Sequence, residues 1–212
     1  MNIMAIGAHH DDIELGVGGT LAKFAKEKNK VYGLTLTDSE TYDHIKKYHR
    51  PSQRAVTEHT KAAKIIGYEI IEVPKELLGI CTKLHYSPEL MQFIETTIHK
   101  YKIDILFVHW KYDMNTDHEE AAKLSILAGR HAKRVLMYRS NWYQPDKGFN
   151  GIVYSDISEV IAVKKKALNS YTGEIRRYGK AWINSFIDAN RSWGYSIGSH
   201  YAEVFEPVRY IL

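Results

Sequence analysis

The stretch "AHHDDIELGVGG" (Ala8–Gly19) follows directly on the apolar run "IMAIGA" (3–8). An apolar run of that length, closed by a polar cluster and then by glycines, reads as a buried strand that turns into a helix. The cluster itself is costly. Four ionisable side chains in a row, His9, His10, Asp11 and Asp12, need compensation. Solvation on a surface loop is one form of it, and a bound cation is the other.

Working outward, the same alternation continues. Strand-like runs occur at 31–37, 68–73, 103–110 and 134–140, and helical apolar spacing occurs at 18–28, 52–66, 88–100 and 117–132. Ser52 and Ser87 stand where N-caps are expected. The order predicts an α/β fold: a Rossmann-like, doubly wound, mostly parallel sheet with helices on both faces, in a single domain over 1–212. Beyond it, the pattern predicts a strand at 151–157, a helix from Ser158 to about Ser170, and a closing strand pair within 201–212. In such sheets ligands bind beyond the carboxyl ends of the strands, where the strand order switches. An order beginning 3-2-1-4 makes the first and fourth strands neighbours there.

Composition narrows the function classes. Lys and Arg number 29 against 25 Asp and Glu, a net charge of +4. The basic residues are scattered, which argues against a nucleic-acid partner. A single cysteine, Cys81, excludes an internal disulfide and fits a reducing compartment. No window approaches the roughly 18 apolar residues of a membrane span, and the N-terminus lacks a basic region before its apolar run. The expectation is a soluble, cytoplasmic protein acting on a small molecule, with a homo-oligomer as one form it could take.

Two polar clusters follow the first and fourth strands: His9 to Asp12, and "KYDMNTDHEE" with Asp113, Asn115, Asp117 and His118. Both therefore fall at one sheet edge. His9, Asp12 and His118 form a two-histidine, one-carboxylate set of the kind that holds catalytic Zn2+, with Fe2+ as the alternative. Asp11 would then stand free beside the cation, placed to take a proton from a water that the cation makes more acidic. His10 points to the other side of the chain from its neighbours and is not expected to be a ligand. The "GVGG" at 16–19 lacks the complete dinucleotide or P-loop pattern and reads as a tight turn into the first helix.

The pattern resembles the "AHPDDxExGxGGTL" signature of the LmbE/PIG-L family of zinc-dependent de-N-acetylases. Further motifs follow in order. "LTDSE" (36–40) stands at a family turn, "RAVTEHTKAAKIIG" (54–67) at an Arg- and Glu-bearing helix, "FVHWKYDMNTDHEEA" (107–121) at the H-x-D-H motif, and "YAEVFEPVR" (201–209) at the close. The resemblance implies a deacetylase that frees acetate and an amine from N-acetylglucosamine-type amides. It implies His9, Asp12 and His118 as zinc ligands, Asp11 as general base, Arg54 as a substrate contact, and Asp117 as the acid that orients its catalytic neighbours.

The chain departs from the signature twice. His10 replaces the proline, without loss of a ligand. Asn115 replaces the first histidine of H-x-D-H. Asparagine can donate a hydrogen bond to an oxyanion but cannot deliver a proton near neutral pH. Either Asp11 carries the water's proton to the leaving amine, or another group such as His200 serves. Trp142, Trp182 and Trp193 are available as sugar-stacking faces. The rival classes are a metal-containing binding protein for a glycan or nucleotide sugar, and an amidase acting on a thiol conjugate.

Overall fold

The structure, a computed structural model, describes residues 1–212. Five parallel strands carry the fold: β1 (Asn2–Gly7), β2 (Lys30–Thr35), β5 (Glu69–Ile71), β6 (Ile105–His109) and β7 (Arg134–Tyr138). With β8 (Val153–Asp156) and β9 (Ala202–Tyr210) they make a seven-stranded sheet of order β5-β2-β1-β6-β7-β9-β8. Counted among the parallel strands this order is 3-2-1-4-5, with the switch between β1 and β6 as expected.

Both faces of the sheet are covered, so the central strands are apolar on both sides. Ile3 and Ala5 of β1 enter one core, while Met4 and Ile6 enter the other, the period-2 alternation of a strand. The first core is filled by α1 (Asp12–Gly16), α2 (Gly18–Lys26), α3 (Ser52–Ile66), α6 (Ile161–Leu168) and α8 (Lys180–Ser196). The second is filled by α4 (Pro88–Lys100) and α5 (Thr116–Ala128). Ser87 caps α4 by accepting from the Leu90 amide at 3.2 Å. Ser52 lies inside the first turn of α3, and Pro51 holds the cap position instead. The Ile66-Gly67 pair ends α3 because Gly67 takes φ +95°, which a side chain would oppose.

Several expectations are corrected. The helix predicted at 18–28 is α2, and a short helix that was not predicted, α1, precedes it. The helix expected from Ser158 is a 3-10 turn, Ser158–Val160, leading into α6. The closing strand pair is one strand, β9, antiparallel to both β7 and β8. Pro207 stands in β9 opposite Leu136, beside a register shift and beyond the residues paired with β8. A proline is tolerated where the ladder is already irregular. A hairpin of β3 (Thr41–Asp43) and β4 (Tyr48–Arg50), the short α7 (Thr172–Tyr178) and the long α8 carry no counterpart in the sequence reading.

The "GVGG" turn is a packing device. A Cβ on Gly16 would lie 2.0 Å from the Tyr138 ring. The break between α1 and α2 is held from β9. Glu203 accepts from the Gly19 and Thr20 amides at 2.8 and 2.7 Å, and fully buried Lys164 bridges Glu203 to the Leu15 carbonyl. No helix is long and apolar enough to cross a membrane.

Candidate metal centre and active site

The loop after β1 and the start of α5 meet at the switch point. There His9 Nδ1 lies 3.2 Å from His118 Nε2 and 3.4 Å from Asp12 Oδ2, and His118 Nε2 lies 3.2 Å from Asp12 Oδ1. Ligands about 2.0–2.1 Å from a tetrahedral zinc stand roughly 3.3 Å apart from one another, so this donor set fits such an ion. These three side chains could hold a metal ion, and each is nearly or wholly buried.

Each donor is aimed by a partner behind it. His9 Nε2 sits 2.9 Å from Asp117 Oδ2, which also accepts from the Thr82 amide. His118 Nδ1 sits 3.4 Å from Asp113 Oδ2. Asp12 takes the Ser140 hydroxyl at 2.8 Å on Oδ1 and the His9 amide at 2.7 Å on Oδ2. His109, the last residue of β6, places Nε2 at 2.9 Å from the Ala8 amide and 3.1 Å from Asp12 Oδ2, and stacks on His118 at 4.2 Å. Such outer partners fix ring orientation and tune a metal ligand.

The electrostatics follow from this packing. Burial opposes a charged His118, but Asp12 and Asp113 outweigh it and carry the imidazole up to about 9. Burial likewise opposes a charged His9, yet Asp117 and Asp12 hold its pKa well above the ordinary value. Asp12 is held well below the carboxylate range by His118 and His109 against the cost of burial. Asp11 behaves differently: burial, with Asp12 and Glu174 adding to it against Arg50, pushes it up to about 6. Asp11 is thus a carboxyl beside the donor set but outside it, and it lines the cavity.

The cavity has a volume of about 410 Å³. The donor set and Asp11 form part of its lining, with Arg50, Asn115, Trp142, Arg177 and Trp182 among the other lining residues. Asn115 caps α5, its Oδ1 accepting from the Asp117 and His118 amides at 2.9 and 3.4 Å. That leaves its amide NH2 as the donor available to the cavity.

Three sequence expectations land elsewhere. Arg54 does not line the cavity. Its guanidinium pairs with Glu58 at 3.1 Å and with the Thr172 hydroxyl at 2.9 Å, one turn along and across to α7. Arg50 is the arginine beside Asp11, with Nη1 at 4.0 Å from Asp11 Oδ2 and 2.9 Å from Glu174 Oε1. His200 is exposed and Trp193 half-buried, both outside the cavity lining. His10 turns away to Ser39, its amide 2.9 Å from the hydroxyl, and packs edge-on against His59. The sequence reading missed His109, Ser140 and Arg50. His109 alone carried a signal, as a histidine closing the fourth strand.

Comparison with known proteins agrees with this architecture. The PIG-L family model, described as GlcNAc-PI de-N-acetylase, matches residues 4–128. The chain is 28% identical over 188 residues to the diacetylchitobiose deacetylase of Thermococcus kodakarensis, covering 81% of this chain and 69% of that one. Its structure is similar to N,N'-diacetylchitobiose deacetylase from Pyrococcus horikoshii, with a TM-score of 0.81 at 19% identity over 98% of this chain and 83% of that one. It is also similar to GalB, the 4-carboxy-2-hydroxymuconate hydratase of Pseudomonas putida, with a TM-score of 0.78 at 16% identity over 100% and 97%. At these identities the two structures share the fold alone, and one fold carries different reactions. The family model spans more than half of the chain, from β1 through the α5 residues of the donor set, and the protein belongs to the PIG-L family of de-N-acetylase domains.

Proposed function

We propose that the protein is a metal-dependent deacetylase that hydrolyses the acetamide of an N-acetylated amino sugar to acetate and a free amine. The observation that carries the reading is Asp11: a carboxyl only 14% exposed beside a three-donor set, on the wall of a cavity large enough for a sugar. The deacetylase relative in Thermococcus kodakarensis supports the same chemistry. Zn2+ suits the set of His9, Asp12 and His118, with Fe2+ as the alternative. A cation bound there supplies Lewis-acid polarisation of the amide carbonyl and acidifies an attacking water.

The chain's own residues do the rest. Asp11 takes the proton of the attacking water and returns it to the leaving amine, a role within reach of one carboxyl that both accepts and donates. The Asn115 amide NH2 donates to the oxygen that gains charge. Arg50 holds Asp11 in place and balances its charge. Asp117 and Asp113 keep His9 and His118 aimed.

The test is acetate release from a panel of N-acetylated amino sugars, measured on chelated protein and again after reloading with Zn2+ or Fe2+. The proposal predicts release that appears only with metal. Tight saccharide binding without turnover would identify a metal-containing binding protein instead, and turnover confined to thiol conjugates would identify the other amidase.

A further inference from the structure

Two features of the cavity wall discriminate between kinds of N-acetylated sugar. The first is the segment Ser140-Asn141-Trp142. Ser140 donates to Asp12 Oδ1, and Asn141 Nδ2 donates to Asp113 Oδ1 and lies 3.4 Å from His118 Nδ1. Two consecutive side chains are therefore fastened to the donor set and its support. The third, Trp142, lines the cavity with 46% of its surface exposed. Its ring meets Tyr178 and Phe186 edge-to-face, at 5.4 and 6.1 Å between centroids. An anchored, half-open indole on the wall of the same cavity is a platform for the C–H face of a pyranose ring.

The second feature is charge. Arg50 and Arg177 are the two arginines on the cavity wall, no lysine joins them, and each is ion-paired with a carboxylate. Arg50 pairs with Glu174 at 2.9 Å, and Arg177 pairs with Asp43 at 3.0 Å and approaches Glu174 at 3.7 Å. The Asp117 and His118 amides at the start of α5 are taken by Asn115. Apart from the metal ion proposed for the donor set, a phosphate entering the cavity would meet arginines already matched by carboxylates and no free helix N-terminus.

We infer that the substrate is an uncharged N-acetylated saccharide, one ring of which stacks on Trp142, and not a sugar linked through phosphate. This deepens the deacetylase reading and rests on it for turnover, but its binding component can be measured separately.

The experiment compares N-acetylglucosamine, its β-linked disaccharide and UDP-N-acetylglucosamine as substrates of the metal-loaded wild type, Trp142→Ala and Trp142→Phe. The expected result is a kcat/KM at least about tenfold higher for the disaccharide than for the UDP-linked sugar. Trp142→Ala should raise KM for the disaccharide about tenfold, with kcat within about twofold, and Trp142→Phe should recover most of the loss. Equal or better turnover of the UDP-linked sugar would overturn the inference. So would an unchanged KM in Trp142→Ala, or a fall in kcat alone, which marks a structural role. If the wild type releases acetate from none of the three, the deacetylase reading fails, and calorimetric binding decides this inference by itself. Disaccharide binding that Trp142→Ala weakens and Trp142→Phe restores supports it. Absent binding, or preference for the UDP-linked sugar, overturns it.

Discussion

His9 Nε2 stands 2.9 Å from Asp117 Oδ2, joining two polar clusters that lie 108 residues apart in the chain. The contact points His9 Nδ1 at Asp12 and His118. The Thr82 and Leu84 amides donate to different oxygens of Asp117, so Asp117→Asn keeps an acceptor for one of them and removes the carboxylate charge behind the imidazole. Metal affinity should fall about 10–100-fold, read by competition with a chelator. Unchanged affinity would mean that His9 is oriented by something else.

Asn115 combines two roles that one substitution can separate. Its Oδ1 caps α5, and its amide NH2 is proposed to meet the oxyanion. Serine is as good a cap but lacks that donor, so Asn115→Ser should keep stability within roughly 0.5 kcal/mol. Its turnover should fall about 10²–10³-fold at full metal content. Asn115→Ala should lose both, with a stability cost of about 1 kcal/mol. Wild-type turnover in Asn115→Ser would remove the oxyanion role.

The two arginines should behave oppositely. Arg54 is 40% exposed and pairs with Glu58 at i+4, so Arg54→Ala should cost no more than about 0.3–0.5 kcal/mol and leave kcat/KM unchanged. Arg50 is buried beside Asp11 and Glu174, and lysine cannot reproduce its fork. Arg50→Lys should lower kcat/KM about tenfold or more. Steady-state kinetics on both variants decides, and a large KM effect in Arg54→Ala would restore the role that the sequence motif implied for it.

Acid should weaken the core through His59. Burial lowers its pKa to about 4, among His10, Glu14, Tyr68 and Tyr171. The unfolded chain, with a histidine near 6.5, binds this proton first. The stability that depends on neutral His59 is therefore complete above about pH 6.5 and is lost as pH falls toward 4. The slope is at most about 1.4 kcal/mol per pH unit. His59→Gln cannot titrate, so its urea midpoint should fall less than that of the wild type between pH 7 and pH 5. Parallel losses would show that His59 does not titrate in this window.

Much of the site was legible because its residues follow strands. The apolar runs announced β1 and β6, the general rule for doubly wound sheets made them neighbours, and His9, Asp12, Asp117 and His118 then had to meet. What escaped depends on contacts that local pattern does not encode. Arg50 closes a three-residue strand in a hairpin too short to show alternation. Ser140 reaches Asp12 across 128 residues. Helix α8 buries Trp182, Ile183, Ile187 and Asn190 at helical spacing, but glycine, serine and asparagine elsewhere in its sequence obscure the period. Arg54, expected at the substrate, lies outside the cavity lining, and an arginine near a helix start looks the same in sequence whether it faces a cavity or a neighbouring glutamate.

The central claim, one catalytic metal held by His9, Asp12 and His118 with Asp11 as base, is tested most directly by measuring metal content and acetate release on the same preparations of wild type, Asp11→Asn and His118→Ala. The account predicts about one equivalent of metal in wild type and Asp11→Asn, and most of it lost in His118→Ala. It predicts acetate release from wild type alone, with Asp11→Asn down about 10²–10⁴-fold. A full equivalent of metal in His118→Ala, or near-normal release by metal-loaded Asp11→Asn, would contradict it.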